Sequence, residues 1–311
     1  MTDASSGDSQ EPQFTTAFTP DHGRSVPVAP GVLRVTANNP SPFTFAGTNS
    51  YVVGGADRCV VVDPGPADAA HLAALLDAVG GRAVDAVLLT HSHSDHSSLA
   101  ADFSSNVAAP LLGARRGSVV EAGDIQHLDA PPAGDLPYQR HLDDGETLRL
   151  GGHAIEVVAT PGHASDHLAF AFPDLGILLS GDHVMAWSTP VVAPPDGVMG
   201  DYMVSLDKLL GRAETRYLPG HGGPVERPIP FVRGLIRHRR MREAAILGRL
   251  QAGDETIPAI VAATYPGLDP RLAGAAGLSV LAHLLDLQAR GKVREERADG
   301  DGGARYRLAA D

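Results

Sequence analysis

The sequence predicts an α/β chain: an αββα sandwich of two packed sheets covered by outer helices, with a winged-helix segment behind it. Three observations carry this. Up to about residue 223, short apolar runs of strand length alternate with stretches of helical spacing. Gly- and Pro-rich turn signals separate them. From residue 231 long helical periodicity takes over, closed by two short β-rich runs around Asp299-Gly300-Asp301-Gly302-Gly303.

A chain of 311 residues has room for one large domain and one small one. We divide it into a tail without fixed structure (1–29), a main domain (30–226), and a long helix plus winged helix (227–311). No apolar run approaches the length of a membrane span, and the polar start has no apolar signal region. The single cysteine, Cys59, lies in an apolar run and reads as a buried residue. These features predict a cytoplasmic protein. The formal charge of −12 is uneven: 11 Lys/Arg and 27 Asp/Glu up to residue 226, then 14 and 10. An acidic main domain disfavours a polyanion lying across it.

The elements follow in order. Strands are expected at 32–35, 50–53 and 59–62, the last two joined by a turn at Gly54-Gly55-Ala56-Asp57. Leu72, Leu75 and Val79 mark a helix over 67–79, stopped by Gly80-Gly81. A buried strand at 84–89 comes next, then a short strand near 110–112 and a loop through Pro131-Pro132-Ala133-Gly134. Residues 147–150 and 155–158 form one hairpin, 168–172 and 176–179 another. A loop over 190–200, a helix over 202–210 and a strand at 216–218 complete the main domain. Helices over 231–250, 254–264 and 271–289 precede the terminal hairpin. Its acidic residues Glu295, Glu296, Asp299 and Asp301 suit phosphate poorly, so packing or homodimer formation is expected there rather than nucleic-acid binding.

The chemistry centres on Thr90-His91-Ser92-His93-Ser94-Asp95-His96, which follows the strand at 84–89. His91 and His93, two apart on extended backbone, leave on the same side. Ser94 is the expected N-cap of a short helix that presents Asp95 and His96. Imidazoles with a carboxylate suit zinc, and also iron or manganese. Three further candidates, His163, Asp182 and His221, each stand at a strand's end directly after a glycine. Five histidines and two aspartates are enough for two divalent metals.

With these residues in view, the sequence resembles the metallo-β-lactamase superfamily of binuclear hydrolases, whose pattern H-x-H-x-D-H, then H, D and H, is met over about 32–223. The resemblance implies that His91, His93 and His163 hold one metal, and Asp95, His96 and His221 the other, with Asp182 bridging. It also implies that Asp63, in Asp63-Pro64-Gly65, supports the ligands from behind. Gly47-Thr48-Asn49-Ser50-Tyr51, Asp201-Tyr202-Met203 and the winged helix resemble the subgroup close to beta-lactamase-like protein 2, which includes an endoribonuclease and thioesterase relatives. Asp166 stands where many members have glycine, and His167 reads as a structural residue.

The expected chemistry is hydrolysis of an acyl bond (thioester, lactone or related ester) in a small molecule by hydroxide held between two metals, with Asp95 handling the proton. The alternative is single-strand RNA cleavage. The loop 186–199 is apolar, stiffened by proline and charged only at Asp196, so Trp187 is expected to contact substrate. His183, next to Asp182, is a further substrate-contact candidate.

Overall fold

The computed structural model describes residues 12–117, 135–296 and 304–309. The first sheet opens with β1 (Ser25–Ala29) and continues antiparallel through β2 (Val32–Thr36), β3 (Asn49–Gly54) and β4 (Arg58–Val62). Helix α1 (Ala69–Val79) then crosses over, so β5 (Ala83–Leu88) pairs with β4 in parallel. The Asp68 side chain caps the start of α1, accepting from the backbone N–H of Ala70 and His71. Helices α2 (Ser94–Ser97) and α3 (Ala100–Val107) lead to β6 (Leu111–Gly113), and β7 (Arg140–His141) closes the seven-stranded sheet.

The second sheet has five strands. β8 (Thr147–Leu150) and β9 (His153–Ala159) form one expected hairpin, β10 (Leu168–Phe172) and β11 (Ile177–Gly181) the other. After α4 (Met199–Leu209), β12 (Arg216–Pro219) joins parallel to β11.

Strand alternation shows why both sheets read as continuous apolar runs. In β4, Val60 and Val62 enter the core between the sheets, while Cys59 and Val61 face α1 and α3. In β10, Leu168, Phe170 and Phe172 point into the same central core, and Ala169 and Ala171 face α4 and the helix that follows. Sheets buried on both faces need apolar residues at every position. The architecture is the expected αββα sandwich.

One expectation, a tail without fixed structure to residue 29, needs correction over residues 12–29. Ser25–Ala29 pairs with β2, Thr15 N–H donates to Ala186 O at 2.9 Å, and the Arg34 guanidinium holds Thr19 O at 2.8 Å. β1 is a half-exposed edge strand interrupted by Pro27, so its pattern is too weak to stand out. The boundary placed at 227 falls where a long helix begins. Helix α5 (Pro228–Gln251) places Val232, Leu235 and Ile236 in the core outside the second sheet. Its far end places Ile246 and Leu250 in a separate core with α6 (Ile257–Thr264), α7 (Ala273–Ala289), β13 (Val293–Glu296) and β14 (Arg305–Leu308). One helix therefore serves both regions. The loop at 131–134 and the hairpin tip with Asp299 and Asp301 lie outside the described residues. Among the described residues, no helix is long and apolar enough to cross a membrane.

Candidate metal centre

The strand ends bring the seven expected donors to one rim of the sandwich. His91 follows β5, His163 follows β9, Asp182 follows β11, and His221 follows β12. His93 rather than Ser94 stands at the N-cap of α2, and Asp95 and His96 occupy its single turn. Close approach is possible because Gly220 lacks a side chain: a Cβ there would sit 2.3 Å from Asp182 Oδ1.

Three groups of donor atoms converge: His91, His93 and His163; Asp95, His96 and His221; and His91, His96 and Asp182. His93 Nδ1 lies 3.1 Å from His91 Nε2 and 3.0 Å from His163 Nε2. In the second group, His96 Nε2 is 3.3 Å from His221 Nε2 and 3.4 Å from Asp95 Oδ2. Asp182 reaches both groups, with Oδ2 at 3.1 Å from His221 Nε2 and 3.8 Å from His163 Nε2.

Each histidine is held from behind by its other nitrogen, which fixes the one that points inward. His91 Nδ1 lies 3.0 Å from Thr90 Oγ1, and His163 Nδ1 donates to Val191 O at 2.6 Å. His96 Nδ1 donates to Asp63 Oδ2 at 2.9 Å, and His221 Nδ1 to Gly47 O at 3.2 Å. His93 turns the other way, with Nε2 3.3 Å from Asp196 Oδ2. Asp63 also accepts from the Thr90 backbone and hydroxyl, both at 2.7 Å.

The donor chemistry fits divalent metals. Burial and the neighbouring histidines hold the His91 imidazole neutral, the form that ligates. Burial would lower His221 too, but Asp182 and Asp95 outweigh it and raise it to about 10. His96 is raised by the same two carboxylates, again against burial. Burial would raise the Asp95 carboxyl, yet His96 and His221 hold it below the usual carboxylate range. Two buried carboxylates that draw protons onto facing imidazoles mark negative charge that a metal cation would balance. Asp182 Oδ1, buried, accepts no hydrogen bond, leaving a lone pair for such an ion.

Some residues that the sequence shows without a role at the site prove to support it. Asp196 was legible only as the charge of an apolar loop; its carboxylate accepts from Ser165 Oγ at 2.8 Å while facing His93. Thr48 Oγ1 donates to Asp95 Oδ2 at 3.2 Å. Asn49 Nδ2 donates to Pro219 O and Gly222 O, pinning the turn that carries His221. His167 adds no donor to the groups; its Nε2 accepts the Asp182 N–H at 3.0 Å and so orients that backbone.

The two substrate-contact candidates part ways. The His183 ring is fully buried against Tyr202, with centroids 4.8 Å apart, so it offers no surface to a substrate. The chain turns here, with His183 N–H donating to Ser180 O at 3.1 Å, and the turn carries the ring inward. Trp187 stacks on Phe45, with centroids 5.0 Å apart and planes 15° from parallel, against Gly222 beside His221. Arg116 lies 3.9 Å from Asp196 and brings a guanidinium to the site from the segment after β6.

Comparison with known proteins agrees with this geometry. A profile of the metallo-beta-lactamase superfamily matches residues 43–221, and one of a beta-lactamase associated winged helix domain matches 256–302. A beta-lactamase-like protein 2 homolog of Drosophila melanogaster is 32% identical, over 86% of this chain and 91% of its own. The lactamase-like protein adaB of Aspergillus niger is 28% identical, over 76% of this chain and 74% of its own. The crystal structure of a metallo-beta-lactamase family protein from Thermus thermophilus superposes with a TM-score of 0.72 at 26% identity, covering 91% of this chain and all of that one.

Proposed function

Since the chain belongs to the metallo-beta-lactamase superfamily, we propose that this metal-dependent hydrolase cleaves an acyl bond, a thioester, lactone or related ester, in a small molecule. We assign His91, His93 and His163 to one divalent ion, and Asp95, His96 and His221 to a second, with Asp182 shared. Zinc suits so nitrogen-rich a set best, with iron and manganese the other candidates. When bound, the ions supply Lewis acidity, lowering the pKa of water towards neutral and polarising the scissile carbonyl.

The chain's own residues supply position and proton handling. Asp95 Oδ2 is engaged by Thr48 and faces His96 and His221, so its Oδ1 is left to take and return a proton. Asp63 and Asp196 keep His96 and His93 turned correctly.

One observation carries the acyl reading: the Trp187–Phe45 stack beside His221. A flat apolar wall gives contact area to the non-reacting carbons of an acyl group and no cation to a phosphate backbone. The endoribonuclease reading is favoured by Arg116, whose guanidinium could face phosphate if it left Asp196. Turnover of thioesters, lactones, β-lactams and short single-stranded RNA at matched metal loading separates them. Faster cleavage of RNA than of every acyl compound would replace the acyl reading.

For the C-terminal segment we propose packing or homodimer formation. Arg305 and Arg307 on β14 pair with Glu255, and Arg307 also with Glu296, which leaves these cations neutralised.

A further inference from the structure

We propose that Arg239 is a positioning residue for the metal centre: through it, helix α5 fixes the loop carbonyl that orients His163. The inference rests on the assignment of His163 as a metal ligand. Arg239 is buried, and among the described residues it forms no ion pair with a carboxylate. Its neighbours on the same stretch of α5 are Val232, Leu235 and Ile236, all part of an apolar core. An unpaired guanidinium in such surroundings is costly to bury, so its contacts should explain its presence.

Those contacts lead to the metal centre along two routes. Nη2 donates to Pro190 O, at 2.5 Å. The next carbonyl along, Val191 O, is the one that accepts from His163 Nδ1 at 2.6 Å. Peptide units are planar, so anchoring the Pro190 carbonyl leaves only the two Val191 dihedrals to aim the second. Valine, β-branched, restricts that freedom further. The guanidinium also lies over the Tyr202 ring, 5.2 Å from its centroid, and the Tyr202 hydroxyl donates to His183 O at 3.3 Å. His183 directly follows Asp182. One side chain of α5 thus braces the segments behind two of the donors, in a loop without regular structure of its own.

The test is metal affinity in the full-length chain, read by competition with a chromogenic chelator for zinc and paired with thermal melting. R239M should weaken one of the two zinc sites about tenfold or more, the scale of losing a partner behind a ligand. R239K keeps the charge but cannot span both Pro190 O and the ring, so it should fall between R239M and the native chain. I246A, in the C-terminal core away from the site, should lower the melting temperature and leave both affinities unchanged. A folded R239M that binds both zinc ions within twofold of native overturns the proposal. If R239M does not fold, R239K decides, a weakened site supporting the proposal and unchanged affinities overturning it. No substrate enters the measurement, so its outcome is separate from that of the acyl reading. A native chain that binds no zinc pair would instead sink the ligand assignment.

Discussion

Asp63 Oδ2 accepts the Nδ1–H of His96 at 2.9 Å, and the same oxygen accepts the Thr90 hydroxyl at 2.7 Å. One carboxylate oxygen thereby holds both ends of the histidine-rich corner. Asp63→Asn can turn an amide N–H towards His96, which disfavours the tautomer that leaves Nε2 free. We expect a 10- to 100-fold loss of affinity at the Asp95–His96–His221 site. Chelator competition checks this, and unchanged affinity would show that the contact is structural only.

Asp182 is the only donor whose oxygens face both histidine groups. Asp182→Ala should therefore abolish hydrolysis and reduce the bound metal from two ions to at most one per chain, measured by elemental analysis. Fully active native protein carrying a single metal would contradict the binuclear assignment.

Trp187→Ala removes half of the stack with Phe45 but touches no donor group. On an acyl substrate it should lower kcat/KM several-fold, mainly through a higher KM, with both metals retained. Loss of metal would mean that Trp187 holds the His221 turn instead.

His71 gives a pH signature distinct from metal release. Burial lowers it to about 4, and its Nε2 lies 2.8 Å from Ser50 Oγ. Its folded pKa is below the unfolded value, so its contribution to stability is complete above about pH 6.5 and is lost as pH falls towards 4. The loss is on the order of 3 kcal/mol by the linkage relation. Glutamine places an amide nitrogen where Nε2 stands and does not titrate. The stability difference between native and His71→Gln chains, from denaturant melts, should shrink over that interval. A constant difference would rule His71 out as its source.

Ending the chain before Pro228 removes Val232, Leu235 and Ile236 from the core they share with Tyr202 and Leu206. Deleting one such buried side chain costs about 2–5 kcal/mol, comparable in sum to the total stability of a domain. The truncated protein should be insoluble or unfolded. A soluble, fully active product would show that the sandwich closes without α5.

Much of this was legible because each donor stands where an apolar run stops: Leu88 before the His91 corner, Ala159 before His163, Leu218 before His221. Strand periodicity placed the backbone, and glycine marked the turns. The residues behind the donors were harder to read. Asp196, Thr48 and the carbonyls of Gly47 and Val191 come from irregular segments, where no period relates sequence to direction. Carbonyl groups also carry no residue identity to recognise. β1 escaped notice because an edge strand buries too little to leave an alternating pattern. His183 is turned inward instead, its ring fully buried against Tyr202, and in a turn no period in the sequence marks that direction.

Helix α5 runs unbroken for 24 residues, about 36 Å at the usual rise, with one end in each of two cores. A rod of that kind does not melt at its middle without exposing apolar surface on both sides. Heat should therefore disrupt the two regions in one calorimetric transition, although a division by sequence would place them in separate modules. For protein engineering, the practical joint between them is not the conventional linker. A graft of another C-terminal region would have to be spliced inside the helix, in phase with its turns, so that the arginine at 239 still faces the loop it holds.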